Sequence, residues 1–356
     1  MGSMADTIDA TATLAAARPS LSVAVSIYAS REDLATVLRT LRSLAAISPQ
    51  TTQQVDVVVN GNPRLASRLA GWLARRQPWQ HRLRIWHCGF ADKATAWNHY
   101  VHRIAPLADD YVFVDGYCQA APGAIGHLID GLRASPQALA ATGLPEAGPS
   151  ARWVAGHVSA GGGLHGNLYA LTRSAVRTLR QTGFSLPAGL YRTDGVLGAV
   201  LAFGLDLHPR QWRPQQHIVV VPQAAARVPA LAWWRPRDLR THWRRRKRQA
   251  QGRLETAAVR HHFEERRLPL NTLPRTAAGL VRAWLASAPS HVESLVTQDR
   301  LARGALRELL QPRDWSWTEH PPSLVFEADF RPTLPQGARS APASAAAAPP
   351  TAARRI

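Results

Sequence analysis

A short apolar run that leads directly into an acidic loop constrains the fold of this chain more than any other feature. Tyr111–Val114 (YVFV) is continuously apolar, which is typical of a strand buried on both faces of a sheet. A helix predicted to start near Asp92, whose carboxylate can cap its first turn, precedes the run and is stopped at Ala105–Pro106. Asp115 follows the run at once. Because ligands of open α/β sheets bind at the carboxyl ends of the strands, Asp115 is predicted to lie at a binding edge.

Strand-like and helix-like segments alternate through the first 142 residues. A helical pattern separates each predicted strand from the next, and the strands are Ser22–Tyr28, Val55–Asn60, Leu83–His87, Tyr111–Val114 and Ala138–Thr142. This order predicts an α/β fold with a mostly parallel sheet and helices on both of its faces.

The character of the sequence changes after Gly143. Strands are predicted at Asn167–Leu171 and Ile218–Val221, helices at Ser174–Thr182 and Tyr191–Phe203, and a flexible segment at Gly161–Gly163. A basic, Trp/Arg-rich region follows, with helices predicted at Leu239–Arg253, Glu255–Arg267, Thr276–Leu285 and Ser290–Leu310. The predicted organisation is a main domain over residues 21–230, a helical C-terminal extension over 231–335, and disordered tails over 1–20 and 336–356.

The net charge of +19 favours an anionic partner such as nucleic acid. However, only two of the 43 basic residues are lysines, and an arginine excess of this kind also follows from a GC-rich genome. No nucleic-acid-binding motif accompanies the charge, so nucleic acid is the less favoured partner. The two cysteines form neither a disulfide framework nor a Cys-rich zinc site, which fits a reducing cytoplasm.

The sequence shows no targeting signal that would conflict with a cytoplasmic location. The sequence has no apolar run of about 18 residues that would span a membrane, and its first residues lack the basic-then-apolar pattern of a secretory signal. We therefore expect a cytoplasmic protein, with peripheral contact at the inner membrane as a further option.

Several common catalytic motifs are missing from the sequence. The turn after the first strand contains no GxGxxG, so a dinucleotide site is disfavoured. The chain also lacks a P-loop, a GxSxG nucleophile elbow and the HExxH spacing of zinc proteases.

Polar residues instead mark the predicted strand ends, and they should meet in one crevice at the carboxyl edge of the sheet. The set comprises Tyr28, Ser30, Asn60, Lys93, Asn98 and Asp115. The ammonium of Lys93 near a helix start suits a diphosphate or a sugar hydroxyl, and the alternative is a surface lysine. Asn98 is either an exposed polar residue or a hydrogen-bonding partner of the loop that carries Asp115.

Seven short segments occur along the chain in the order found in a known enzyme family. They are Val23–Glu32, Val57–Asn62, Lys93–Asn98, Tyr111–Gln119 with Pro122–Gly123, Gly163–Arg173, Thr193–Asp194 and Trp243–Gly252. Over residues 21–252 this arrangement resembles the GT-A glycosyltransferases. It is closest to their large inverting family 2, which includes cellulose, hyaluronan and O-antigen transferases.

The resemblance implies a transferase that moves a sugar from a UDP- or GDP-linked donor to an acceptor hydroxyl or amine. Asp194 would be the catalytic base; its alternative role is a first-turn acid that stabilises a helix. His157 and His165, which flank the glycine run, would line the site of an acceptor that is lipid-linked or a small molecule. The implied donor contacts are Tyr28, Ser30, Asn60, Lys93, Asn98, Asp115, Tyr117, Arg244 and Arg245.

One departure from the family pattern concerns the metal. In the family's D-x-D loop two carboxylates hold Mn²⁺ or Mg²⁺ on the donor diphosphate, whereas here the second position is Tyr117. Three alternatives follow: Asp115 alone holds the metal together with phosphate and water, arginines such as Arg235, Arg244 or Arg245 replace it, or catalysis is lost.

The basic stretch from Arg235 to Arg248 also has several interpretations. It contains eight Arg/Lys residues with Trp233, Trp234 and Trp243 alongside. A mobile lid over the diphosphate, a docking surface for anionic lipid, a nucleic-acid surface and a solvated helix face all fit. Two other functions therefore stay open beside the transferase: a nucleotide-sugar-binding protein without turnover, and a basic nucleic-acid-binding protein.

Overall fold

The described part of the chain forms a single nine-stranded sheet. The computed structural model describes residues 21–44, 53–76, 81–146, 151–206, 211–228 and 236–330. The strands are β1 (Leu21–Ala29), β2 (Gln53–Asn60), β3 (Arg82–Cys88), β4 (Ala108–Asp115), β5 (Gln119–Ala120), β6 (Ala140–Pro145), β7 (Leu168–Thr172), β8 (Ile218–Arg227) and β9 (Ser323–Asp329). Their order across the sheet is β5-β8-β6-β7-β4-β1-β2-β3-β9.

Most of the strands run in the same direction. β1 pairs in parallel with β2 and β4, β2 with β3, and β6 with β8, whereas β5, β7 and β9 are antiparallel to their neighbours. The predicted α/β class with a mostly parallel sheet is thereby confirmed.

Helices cover both faces of the sheet, as predicted. They are α1 (Leu34–Leu44), α2 (Pro63–Ala74), α3 (Lys93–His99), α4 (Ala124–Ala134), α5 (Ala151–Gly161), α6 (Arg173–Thr182), α7 (Thr193–Ala202), α8 (Pro214–His217), α9 (Pro236–Arg260), α10 (Ala277–Ser287), α11 (Pro289–Gln298) and α12 (Arg300–Leu309). π-helical turns at Tyr100–Ile104 and His261–Glu265 extend α3 and α9.

The alternation of side chains along the strands creates two separate cores. In β1, Val23, Val25 and Ile27 pack with α1, α2 and α4, whereas Ala24 faces the core formed with α3, α6, α7, α9 and α10. Successive side chains of a strand point to opposite faces, so a continuously apolar strand supplies both cores at once. The same argument explains the buried run Tyr111–Val114 in β4.

Local capping chemistry fixes several helix ends. The Asp92 carboxylate accepts the Thr95 N–H at 2.8 Å, which confirms it as the cap of α3, and the π-helical turn that extends this helix ends at Ala105, as predicted. The predicted single helix Ser290–Leu310 is wrong. Asp299 is extended and its carboxylate accepts the N–H groups of Leu301 and Ala302, so it caps a new helix, α12.

The structure differs from the prediction in three further respects, two of them in the C-terminal region. The two helices predicted to meet at Leu254 are one, α9, because no breaker or cap separates them. Strand β9 was not predicted, and it adds a strand to a region expected to be helical. Helix α5 was also missed. It fills residues up to Gly161, and the expected flexible segment is reduced to a turn at Gly162 and Gly163, both with positive φ.

Three predictions fall beyond the described residues. These are the disordered tails over 1–20 and 336–356 and the role of Arg235. Within the described residues, no helix has the length and apolar character needed to cross a membrane.

Candidate active site

The ends of strands β1 and β4 meet in one crevice, whose lining includes three of the predicted residues, Tyr28, Lys93 and Asp115. β1 and β4 pair in parallel with Tyr28 directly beside Asp115, so the two side chains leave the sheet at the same edge. Lys93, at the start of α3, and Gly166, just before β7, line the same crevice. The enclosed volume of the crevice is only about 20 Å³.

Asp115 is held by two donors at the centre of this crevice. The Lys93 ammonium (Nζ) lies 2.5 Å from Oδ1, and the Tyr117 hydroxyl donates to Oδ2 at 2.9 Å. Burial lowers the pKa of Lys93, but the Asp115 carboxylate outweighs this effect and the net pKa is raised. The charge of Asp115, followed by burial, raises the pKa of Tyr117 well above its ordinary value, so the phenol keeps its proton.

Tyr28 and Asn60 form a second polar group beside Asp115. Asn60 is fully buried, and its Nδ2 donates to the Tyr28 hydroxyl at 3.1 Å and to the Asp92 carbonyl at 2.6 Å. Ser30 Oγ in turn donates to the Asn60 carbonyl at 2.9 Å. Burial raises the pKa of Tyr28. Asn60 therefore lies beneath the crevice, where it positions Tyr28 and the start of α3.

Asp194 faces the crevice from the first turn of α7. Its Oδ2 accepts the Gly166 N–H at 3.3 Å and its Oδ1 accepts the Gly195 N–H at 3.1 Å. A Cβ added to Gly166 would approach the Asp194 side chain to 3.0 Å, so a larger residue there would have to displace that side chain. One glycine thus lies between the predicted base and the Lys93–Asp115 pair.

His165 lies among these charged groups. Burial lowers its pKa, and the nearby carboxylates of Asp194 and Asp115 only partly oppose the effect, so the imidazole is neutral near pH 7. Its Nδ1 is buried and bonds to no described residue. The other predicted acceptor-side histidine, His157, belongs to α5, but its side chain is outside the described part of the structure.

Asn98 does not contact the Asp115 loop, and that expectation is wrong. Its Nδ2 donates to the Leu186 carbonyl at 2.9 Å, and its Oδ1 accepts the Leu186 N–H at 2.8 Å. Both ends of the amide are used in holding a loop 88 residues away in sequence. The amide of Asn98 therefore holds that loop in position.

Arg248 of the basic helix α9 contacts the loop before Asp194, and the sequence analysis did not select this arginine. Arg244 and Arg245 are exposed on α9, and no bond or ion pair to another described residue is found for either. The arginine that reaches the loop before Asp194 is Arg248, whose guanidinium lies 5.1 Å from the centre of the Tyr191 ring.

Glu255 is a residue beside the site that sequence analysis did not select. It is buried, and its carboxylate accepts the N–H groups of Tyr191 at 2.9 Å and Arg192 at 3.1 Å. Burial raises its pKa, and those hydrogen bonds oppose the rise. Glu255 thereby fixes the loop that leads into Asp194, yet in the sequence it is one acid within a highly charged helix.

The residues of the crevice do not fit a divalent cation. Both Asp115 oxygens already carry a donor, and Tyr117 remains a protonated phenol, which is a donor here rather than a ligand. Nowhere in the described ranges do three His, Cys, Asp or Glu side chains gather, so no cluster of further protein ligands stands beside Asp115.

Comparisons with known proteins give structural likeness only. No protein-family model matches the chain, and no curated protein matches it. One similar solved structure is the mannosyltransferase PcManGT of Pyrobaculum calidifontis with GDP-mannose and Mn²⁺, at 17% identity and a TM-score of 0.49. That alignment covers 81% of this chain and 84% of the other.

Two further similar structures were determined with a uridine nucleotide bound. TarS 1–349 of S. aureus with UDP-GlcNAc has 12% identity and a TM-score of 0.42, covering 81% of this chain and 89% of its own. Glucosyl-3-phosphoglycerate synthase of Mycobacterium tuberculosis with UDP has 15% identity and a TM-score of 0.46, covering 70% and 81%. Likeness at this level decides nothing about the activity of this chain.

Proposed function

We propose that this chain is a GT-A-type glycosyltransferase that moves a sugar from a UDP- or GDP-linked donor to an acceptor hydroxyl or amine with inversion. One observation carries the proposal: Gly166 lines the crevice beside Lys93 and Asp115, and its N–H binds the Asp194 carboxylate. A base and a cation that both lie close to one small residue of the crevice are the two groups that direct displacement needs.

Asp194 is the base in this mechanism. Its carboxylate accepts the proton of the acceptor hydroxyl while the acceptor oxygen forms a bond to the anomeric carbon. The bond between that carbon and the diphosphate oxygen breaks on the opposite face, and the nucleoside diphosphate leaves with the electron pair. The backbone N–H groups of Gly166 and Gly195 keep the Asp194 side chain in place.

Lys93 is the cation that stabilises the departing diphosphate. Its ammonium is only partly exposed, and it is the cation that contacts Asp115 in the crevice. Asp115 and Tyr117 form a chain that holds the ammonium in place, so the position given to metal-binding acids in the family serves here to orient a lysine. We accordingly propose that transfer does not need Mn²⁺ or Mg²⁺.

The acceptor and the cellular location are proposed from the exposed basic surface of α9. Trp243 is 54% exposed, and the side chains of Arg244, Arg245, Arg246, Lys247 and Arg248 that follow it are exposed on α9. This surface fits a peripheral contact with anionic membrane lipid and an acceptor linked to lipid. A cytoplasmic protein that glycosylates a small molecule is the alternative.

The first experiment is thermal unfolding with UDP, GDP and their sugars, each with Mn²⁺, Mg²⁺ or EDTA. A ligand that binds the folded state alone raises the melting temperature. We expect one base to be selected and the shift to persist in EDTA. A shift that vanishes in EDTA contradicts the role given to Lys93, and no shift with any nucleotide contradicts the transferase itself.

The second experiment tests Asp194 by turnover. With the donor identified, release of nucleoside diphosphate is measured for Asp194→Asn and for Asp130→Asn, an exposed acid of α4 that serves as the matched control. Loss of a general base lowers kcat by about 10²–10⁴-fold, whereas donor binding should persist. Donor binding without turnover in the unaltered chain would instead support a nucleotide-sugar-binding protein.

A further inference from the structure

A cavity of about 590 Å³ lies behind α7, on the side away from Asp194. Val196, Ala199 and Phe203 follow one another at helical spacing and form its α7 wall. Asp194 and Gly198 lie on the other face of the helix, where they approach Gly166 and Leu164. Helix α7 therefore separates this cavity from the crevice.

The cavity has the size and the lining of a small-molecule site. Sites for small ligands are about 300–1,000 Å³ and mostly apolar. Val259 and Phe263, from α9 and the π-helical turn after it, complete the apolar floor. At the mouth, Trp212 is 49% exposed and its ring lies 5.3 Å from the Phe203 ring. An apolar body can therefore enter past an aromatic side chain.

The charge at the rim favours an anion. Arg260 is paired with Glu264 at 3.1 Å, and the carboxylate of Glu255 is bonded to backbone N–H groups at the start of α7. Arg267 also lines the cavity, is exposed, and forms no ion pair with a described acid. Arg192 lines the cavity too, and its charge acts on the Glu255 carboxylate, so the guanidinium of Arg267 is the rim cation with no acidic partner among the described residues.

Unusual backbone geometry occurs at the same place. The turn His261–Glu265 is π-helical, and π-helical turns are frequent at functional sites. Arg267 has a φ of 49°, the left-handed conformation in which helices commonly end, and the Leu268 N–H donates to the His262 carbonyl at 3.1 Å, so this turn fixes where the arginine leaves the helix. This geometry is independent of the cavity volume and of the charge, and it affects the same arginine.

We propose that this cavity binds a small amphipathic anion, with its apolar body against Phe203 and Phe263 and its carboxylate or phosphate on Arg267. The site is separate from the crevice and does not depend on the transferase proposal. Because Gly195 lines the cavity and also donates to Asp194, an occupant touches the helix turn that carries the predicted base.

The test is isothermal titration calorimetry of the full chain with decanoate and, separately, with the neutral decanol. Both share the apolar body, and only decanoate carries the charge. We expect saturable decanoate binding with a negative heat-capacity change, the marker of apolar burial. Arg267→Gln should weaken decanoate binding by about 10–100-fold, the usual effect of losing a hydrogen bond to a charged group, and leave decanol binding unchanged.

Two further variants sharpen the result. Ala199→Trp fills the cavity and should abolish the binding of both compounds, and Arg303→Gln, an exposed arginine of α12, should change neither. If Ala199→Trp does not fold, the comparison of decanoate with decanol in Arg267→Gln still decides the question.

A lipid surface as the occupant has a distinct outcome. Binding to anionic phospholipid vesicles alone, unaffected by Ala199→Trp, would overturn the proposal, because monomeric decanoate would then have no site.

Discussion

Replacing Lys93 by methionine tests how the crevice is built. The ammonium and the Asp115 carboxylate lie 2.5 Å apart, with side chains 30% and 7% exposed. At an effective dielectric constant of ~20, unit charges about 3 Å apart attract by roughly 5 kcal/mol before the cost of desolvation. Removing one partner of a fully buried pair costs about 3–5 kcal/mol. Because Lys93 keeps some water and Tyr117 still donates to Asp115, we expect Lys93→Met to lower the free energy of unfolding by about 2 kcal/mol.

A double-mutant cycle isolates the pair from other effects of each substitution. Lys93→Met, Asp115→Asn and the double variant are unfolded in urea at pH 7.5, and the coupling energy is expected to be about 1–2 kcal/mol. Lys247→Met is the matched control, because the only other lysine lies 3.9 Å from Glu308 and both of those side chains are exposed. Exposed pairs contribute about 0–1 kcal/mol.

The pH dependence follows from the raised pKa of Lys93. A group whose folded pKa is raised contributes stability that is fully present below its ordinary pKa of 10.5 and is lost as the pH rises through the folded value. The difference between the unaltered chain and Lys93→Met should therefore stay constant from about pH 7 to 9. A coupling energy below about 0.5 kcal/mol would refute the reasoning, since the pair would then behave as an ordinary surface contact.

Two other predictions concern buried carboxylates of the sheet. Arg84 donates to the fully buried Asp56 at 2.6 Å, so Arg84→Met should cost about 3–5 kcal/mol in urea unfolding. Burial already raises the pKa of Asp56, so this cost should shrink toward pH 4, and a cost independent of pH would contradict the explanation. Burial also raises the pKa of Asp110 from 3.8 to about 6. The contribution of protonated Asp110 to the free energy of unfolding is therefore complete below pH 3.8 and is lost as the pH rises through 6. Asp110→Asn should remove this dependence of stability on pH. In thermal unfolding at pH 7.5 the variant should be more stable than the unaltered chain by about 2–3 kcal/mol, and an equal pH dependence in both proteins would refute the explanation.

The sequence predicts the parts of the site that depend on local pattern. The alternating strands and helices place Tyr28 and Asp115 at one edge, because parallel strands end together. The cap at Asp92 follows from chemistry within a single helical turn. These features need no knowledge of distant contacts.

The parts that could not be predicted depend on contacts between distant segments. Nothing near Asn98 in sequence indicates that its amide binds the backbone of Leu186, and nothing near Glu255 indicates that it receives the N–H groups of residues 191 and 192. Periodicity also misses β9, since a short edge strand with one exposed face gives a weak signal. The break at Asp299 was predictable in principle, because an aspartate followed by a helix is a common cap.

Strand β9 has a consequence for how the protein reaches its folded state. It covers β3, whose outer edge would otherwise present unpaired backbone groups to other chains. The partners are far apart in sequence: Arg82 and Glu327, bonded across the two strands, are separated by 245 residues. During synthesis the edge of β3 therefore stays open until Asp329 has left the ribosome, and nascent or truncated chains are exposed to intermolecular strand pairing for that whole interval.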